Sequence, residues 1–133
     1  MNDILSCIPQ RPPFVMVSEI VNAGEQTCTT KFVIGADNIF LKNTVLTEPA
    51  LIENIAQTAA AHTGYLCRQK NEPVPVGFIG AVQQLEVFDL PAVHDELKTE
   101  ITIKNQVLNV TLISGSITCR QKPIAQCEMK IFI

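Results

Sequence analysis

Residues 47–67 form the one stretch of this chain long and regular enough to be an extended helix. Leu51, Ile55, Ala59 and Leu66 fall on an apolar stripe at helical spacing. Thr47 stands where an N-cap belongs, Glu48 answers the positive end of the helix dipole, and Pro49 sits in the first turn, where its missing N–H costs little. Ala59, Ala60, Ala61 and Gly64 are small, so a second backbone can approach closely. About 21 residues at helical rise span roughly 31 Å. In a chain of 133 residues, such a rod must lie along a whole sheet.

The remaining residues read as strands. Residues 3–8 allow a helical turn or two, stopped by Pro9, Pro12 and Pro13. Residues 14–22, rich in Val, Ile and Phe, and residues 27–34 predict two strands around a turn at Ala23-Gly24. Residues 36–46 have no clear period and read as a loop. After the helix come four more strands, at 76–88, 97–103, 107–119 and 125–133. The second alternates Leu97, Thr99, Ile101 and Ile103 against Lys98, Glu100, Thr102 and Lys104. The third alternates through Leu108, Val110 and Leu112, with Gly115 expected at a bulge or bend. The fourth alternates Ala125, Cys127, Met129, Ile131 and Ile133 against Gln126, Glu128 and Lys130. Short connections make the sheet largely antiparallel. The class is therefore α+β, and a helix wrapped by a curved, mainly antiparallel sheet is the hotdog fold. No linker or low-complexity segment interrupts the chain, so one domain over residues 1–133 is expected. Cys67-Arg68-Gln69-Lys70 recurs as Cys119-Arg120-Gln121-Lys122, but the flanks differ and the repeat reads as coincidence.

Composition narrows the function. Net charge is −3 and the ten basic residues are scattered, so no nucleic-acid surface is expected. Charged residues are 17% of the chain, which points to surface covered in an oligomer. No apolar run approaches the roughly 18 residues that cross a bilayer. The opening Met1-Asn2-Asp3-Ile4 lacks the basic and apolar regions of a secretion signal, so the expected compartment is the cytoplasm. Five widely spaced cysteines, without a C-x-x-C pair, argue against a disulfide framework or a metal site and read as small buried hydrophobes.

Two motifs carry a family resemblance. Ile8-Pro9-Gln10-Arg11-Pro12-Pro13-Phe14-Val15-Met16-Val17 resembles the opening Leu-Pro-His-Arg-x-Pro-Phe-Leu-Leu-Val of bacterial 3-hydroxyacyl-ACP dehydratases, with Gln10 in place of the His and Ser18 in place of the following Asp. Leu51-Ile52-Glu53-Asn54-Ile55-Ala56-Gln57 is similar to their Ile-Leu-Glu-Ala-Met-Ala-Gln, and Gly77-Phe78-Ile79-Gly80 resembles the strand after the helix. The resemblance implies the hotdog fold, no cofactor and no metal. It also implies a site between two subunits, where a His removes the C2 proton of a 3-hydroxyacyl thioester and a helix carboxylic acid helps the hydroxyl leave. A backbone N–H at the helix start would bind the thioester carbonyl. Residue by residue, Glu53 matches the acid and Gln57 the Gln that holds it. Glu48 stands where the family usually has the Gly of the carbonyl-binding amide. Ile39 falls at the His, beside Phe40, which matches the Phe of Gly-His-Phe-Pro-Gly. Phe78 and Gly80 complete the candidate substrate wall. The base itself is absent.

The two histidines present offer no obvious replacement. His62 follows Glu53 by nine residues, half a turn net, so it should face away and pack against the protein or lie partly exposed. His94 falls in an expected surface turn. Each candidate also has a plain structural reading: Glu53 as a solvated helix residue, Glu48 as a dipole partner, Gln57 as a polar helix residue. Three functions remain open. One is a dehydratase-like protein of fatty-acid or polyketide/polyene-type synthesis, as the degenerate half of a mixed dimer. The second is an acyl-CoA or acyl-ACP thioesterase using Glu53. The third is a non-catalytic acyl-chain-binding subunit. All share acyl-ACP or acyl-CoA as partner, a homo- or heterodimer built through sheet edges, and an apolar tunnel beside the helix, between two subunits. Arg68, Lys70, Arg120 and Lys122 are the candidates for a basic rim facing an acidic carrier.

Overall fold

The computed structural model describes residues 3–133; Met1 and Asn2, part of the opening stretch read for a secretion signal, lie outside them. A short 3-10 turn, Ile4–Ser6, precedes β1 (Glu19–Ala23) and β2 (Thr27–Val33). A small hairpin follows, β3 (Leu41–Lys42) and β4 (Val45–Leu46), then α1 (Glu48–Gln69). The rest is a run of long strands: β5 (Phe78–Val87), β6 (Glu96–Val107), β7 (Val110–Cys119) and β8 (Lys122–Phe132). The six long strands form one antiparallel sheet in the order β1-β2-β6-β7-β8-β5. The helix carries the chain across the sheet face, from the β2 side to the far edge. This is the hotdog arrangement predicted from the sequence.

Register places the inward residues in rows beneath α1. Thr30, Thr99, Ile117 and Ala125 form one row, and Cys28, Ile101, Gly115 and Cys127 the next. All eight are buried. Against them the helix lays Leu51, Ile55 and Ala59, as its stripe predicts; Leu66 is half-buried. Gly115 is not the bulge expected. The register is unbroken there and slips instead between Ile103 and Asn105 and between Ile117 and Thr118. A Cβ on Gly115 would lie 2.5 Å from Cγ2 of Ile55, so the glycine is the flat spot that seats the helix.

Three other expectations are corrected. The strand predicted from residue 14 begins at Glu19, because residues 14–17 are bonded to helix side chains rather than to a strand. Residues 107–119 are broken at Leu108 and Asn109, and the buried set is Ile113, Gly115, Ile117 and Cys119, the opposite phase to that read through Leu108, which is 95% exposed. Thr47 occupies the N-cap position, but its hydroxyl donates to the Phe40 carbonyl at 2.7 Å instead of capping the helix. The repeated Cys-Arg-Gln-Lys ends α1 in one copy and turns the β7–β8 hairpin in the other, with Arg120 and Gln121 at φ 51° and 68°, which agrees with coincidence.

The segment before β1 runs back along α1. At the far end of the helix, a Cβ on Gly64 would lie 1.8 Å from the Cys7 carbonyl oxygen. Helix propensity alone favours Gly64→Ala by about 1 kcal/mol. The backbone contact should reverse that sign and destabilise the protein by about 2 kcal/mol or more. Gly24→Ala, whose Cβ meets nothing nearer than 3.6 Å, should be near neutral. Urea denaturation of both variants checks this.

The cysteines are free, and four of the five are buried. Burial pushes the Cys28 thiol up to about 12 and the Cys127 thiol up to about 11, with smaller contributions from neighbouring Cys7 and Glu128 respectively. Burial, then Asp95, raises the Cys119 thiol. A thiolate-trapping reagent at pH 8 should therefore modify only the half-buried Cys67 in the native chain, and all five thiols after unfolding.

Candidate functional site

The site begins with a polar stripe on the buried side of α1. Asn54, Gln57 and Thr58 are each fully buried, at spacings of three and four residues that put them on one helix face. Gln57 Oε1 accepts the Met16 N–H at 2.6 Å, and its Nε2 donates to the Phe14 carbonyl at 2.9 Å. The Asn54 amide donates to the Met16 carbonyl at 2.7 Å, and its oxygen accepts the Thr99 hydroxyl at 2.5 Å. Thr58 donates to the Asn54 carbonyl and shares a hydroxyl bond of 2.7 Å with Thr30. The helix is thus stitched to residues 14–16 on one side and to β2 and β6 on the other. Sequence reading named Gln57 alone of these. The available signal was polar residues falling on a stripe that should be apolar.

Glu53 sits one turn before Gln57, half-buried, and its Oε2 accepts the second Nε2 hydrogen of Gln57 at 3.1 Å. It borders a cavity of about 380 Å³ between α1 and the β5 end of the sheet. The helix wall is Glu53, Ala56, Ala60 and Thr63, one stripe about 15 Å long. The sheet wall is mostly aliphatic, with Ile101, Ile103, Ile113 and Ile131, and carries one hydroxyl, that of Thr111. Pro9 and Gln10 close one side, and Gly77, Phe78 and Ile79 line the start of β5. Phe78 is 67% exposed and still lines the cavity, so the cavity reaches the surface at this edge. An apolar slot lies beside the helix.

The predicted residues divide. Glu53 and Phe78 line the cavity, and Gln57 holds Glu53. Glu48 opens the helix and is exposed, away from the cavity lining. Ile39 is exposed in the loop before β3, and Phe40 packs half-buried on the core while its carbonyl anchors Thr47; neither lines the cavity of its own chain. Gly80 lies outside the cavity too. It is the extra residue where β5 slips against β8, and a Cβ there would sit 1.8 Å from the Phe132 ring.

Neither histidine makes a hydrogen bond to Glu53. His62 is buried and its Nε2 lies 2.6 Å from the Gly24 carbonyl, which can only accept, so that nitrogen carries the proton. It borders the same cavity as Glu53, so it does not face away, contrary to what the nine-residue spacing predicts, but it makes no bond to Glu53. His94 is exposed, at φ 74°, in the turn before β6. Of the candidate basic rim, Arg68 donates to Ser6 Oγ and Arg120 pairs with Asp95, on separate elements. Among the described residues there is no helix long and apolar enough to cross a membrane.

Comparison with known proteins fits this architecture. No curated protein sequence matches the chain. Among solved structures it is similar to the dehydratase heterocomplex ApeI:P from Xenorhabdus doucetiae, with a TM-score of 0.90 at 15% identity over 97% of this chain and 89% of that one. It is also similar to a hypothetical thioesterase with coenzyme A from Streptococcus pneumoniae TIGR4, with a TM-score of 0.68 at 10% identity over 86% and 83% of the two chains. The PaaI protein of the E. coli phenylacetic acid degradation operon gives a TM-score of 0.66 at 14% identity over 86% and 82%. At such identities these likenesses speak for the shared hotdog fold. The sequence profile described as ApeP-like, ApeP dehydratase, matches residues 2–133, nearly the whole length. The chain belongs to the ApeP-like dehydratase family.

Proposed function

We propose that this chain is the acid-bearing half of a two-chain dehydratase acting on 3-hydroxyacyl thioesters. One observation carries the reading: Glu53, aimed by Gln57, borders a long, largely aliphatic cavity in which no imidazole is bonded to it. An elimination needs both an acid and a base. A base on a second chain takes the C2 proton, the C3–O bond breaks as the C2–C3 double bond forms, and Glu53 gives its proton to the departing hydroxyl. The products are an enoyl thioester and water. Proton exchange with solvent then resets both groups.

The place for the second chain is the β5 edge. β1 and β5 are the two ends of the sheet, and they differ in character. β1 has the pattern Glu-Ile-Val-Asn-Ala with one residue buried, whereas β5 exposes Phe78, Ile79, Leu85 and Val87 along an unpaired edge. Unpaired apolar edges are covered in stable proteins. A chain pairing there would also cover the cavity mouth at Phe78 and Ile79. On the same reading Ile39 and Phe40 face the other chain's cavity, so the pair holds one complete acid–base set. The likeness to ApeI:P, itself a dehydratase heterocomplex, supports this reading. The acyl group would arrive on a carrier protein or on coenzyme A, in the cytoplasm.

The test is reconstitution. The chain alone should not dehydrate a 3-hydroxyacyl thioester. Mixed with a hotdog chain that keeps the His, it should raise the rate well above that of the partner alone. Glu53→Gln in this chain should remove about 10²–10⁴ of the gain while the two chains still associate. A mixture no faster than the partner alone discards the proposal. Hydrolysis of a saturated thioester by this chain alone, abolished in Glu53→Gln, would show a thioesterase instead.

A further inference from the structure

Among the described residues, one buried side-chain polar atom lacks a hydrogen-bond partner: Oε1 of Gln10. An unpaired buried acceptor costs stability and is kept for a reason. Gln10 lines the same cavity as Glu53. Its position is set from outside the cavity, because Arg11 Nη1 donates to the carbonyls of Ile8 and Gln10 at 2.8 and 2.7 Å. The strap carrying it is fixed at both ends, by the Cys7–Gly64 backbone contact and by the bonds of Phe14 and Met16 to Gln57. Most of the cavity lining is alkyl, and the donors it does hold, on His62, Thr63 and Thr111, make no bond to Oε1.

We infer that Gln10 reads a hydrogen-bond donor on the bound acyl thioester, and so selects ligands that carry one near the acid end of the cavity. The inference rests on the acyl-thioester function proposed above. The donor is an O–H or N–H. In a 3-hydroxyacyl thioester it is either the C3 hydroxyl or an amide N–H of the thiol arm. Glu53 completes the pattern as a second polar group on the same cavity, held by Gln57, with one carboxylate oxygen on Gln57 and the other left for the ligand. Gln10 is a specificity residue here and takes no part in breaking bonds.

Three ligands separate the sources. The N-acetylcysteamine thioester of 3-hydroxyoctanoate has hydroxyl and amide; that of octanoate has the amide alone; the ethyl thioester of octanoate has neither. Their binding to the wild-type chain and to Gln10→Met is measured by calorimetry, alone and in the mixed complex, together with thermal unfolding without ligand. Wild type should lose about tenfold in affinity at the step that removes the donor Gln10 accepts. That step names the source. In Gln10→Met the loss should shrink to less than about twofold, while the donor-free ligand binds both proteins equally and the melting temperature stays level or rises. A tenfold step that survives in Gln10→Met overturns the inference, and so does a lowered melting temperature, which would make Oε1 a structural group. Failure of every ligand to bind wild type removes the acyl-thioester reading and this inference with it. A Gln10-dependent step in a complex that dehydrates nothing leaves the inference standing and removes the dehydratase alone.

Discussion

A single side-chain amide, that of Gln57, fixes both one wall of the cavity and the Glu53 carboxyl group. Phe14 and Met16 precede β1 and have no strand beside them to bond their backbone groups. In an extended chain, the carbonyl of one residue and the N–H two residues on point the same way. Gln57 meets both, taking the Met16 N–H and giving to the Phe14 carbonyl, and so stands in for the missing strand. Its remaining hydrogen goes to Glu53. Were Gln57 apolar, two buried backbone groups would be unpaired, at a cost of about 1–3 kcal/mol each, and the carboxylate would lose its aim.

The cavity follows from where the helix rests. Ile55 is seated on Gly115, and Asn54 and Thr58 are bonded to Thr99 and Thr30 on the β6 and β2 side. With the helix pinned there, the β8–β5 end of the sheet stands off from it. Ala56, Ala59 and Ala60 are too short to fill the gap, and a slot remains along one helix stripe. Its mouth coincides with the apolar, unpaired β5 edge. On the proposed reading Glu53 supplies the acid from within the chain, and the base comes from across that edge.

Much of this was legible in the sequence, for reasons that can be named. The helix and the strands on either side of it have clear periods, and the alternation through Leu97–Ile101 and Ala125–Met129 lies on the buried face as expected. Glu53 and Gln57 could be paired because four residues is one helical turn. The failures share a cause: local pattern does not reveal what a segment packs against. Residues 14–17 look like a strand because extended apolar residues read alike whether a strand or a helix side chain satisfies them. Leu108 misled the phase of β7, since a hairpin tip sheds its side chain to solvent. Gly115 suggests local backbone irregularity yet seats Ile55 in an unbroken register, whereas Gly80, read as substrate wall, sits at a true bulge and makes room for Phe132. Gln10 was visible only as a departure from a motif. Its unpaired oxygen emerges only when the cavity around it is built.

The central claim is that a second chain finishes this site along β5. Amide hydrogen exchange on mixing with a His-bearing hotdog chain tests it most directly, because exchange reports which backbone groups gain partners. Amides of residues 78–87 should slow by about tenfold or more, with those of residues 19–23 unchanged. Protection at residues 19–23 instead, or none at either edge, would contradict the account.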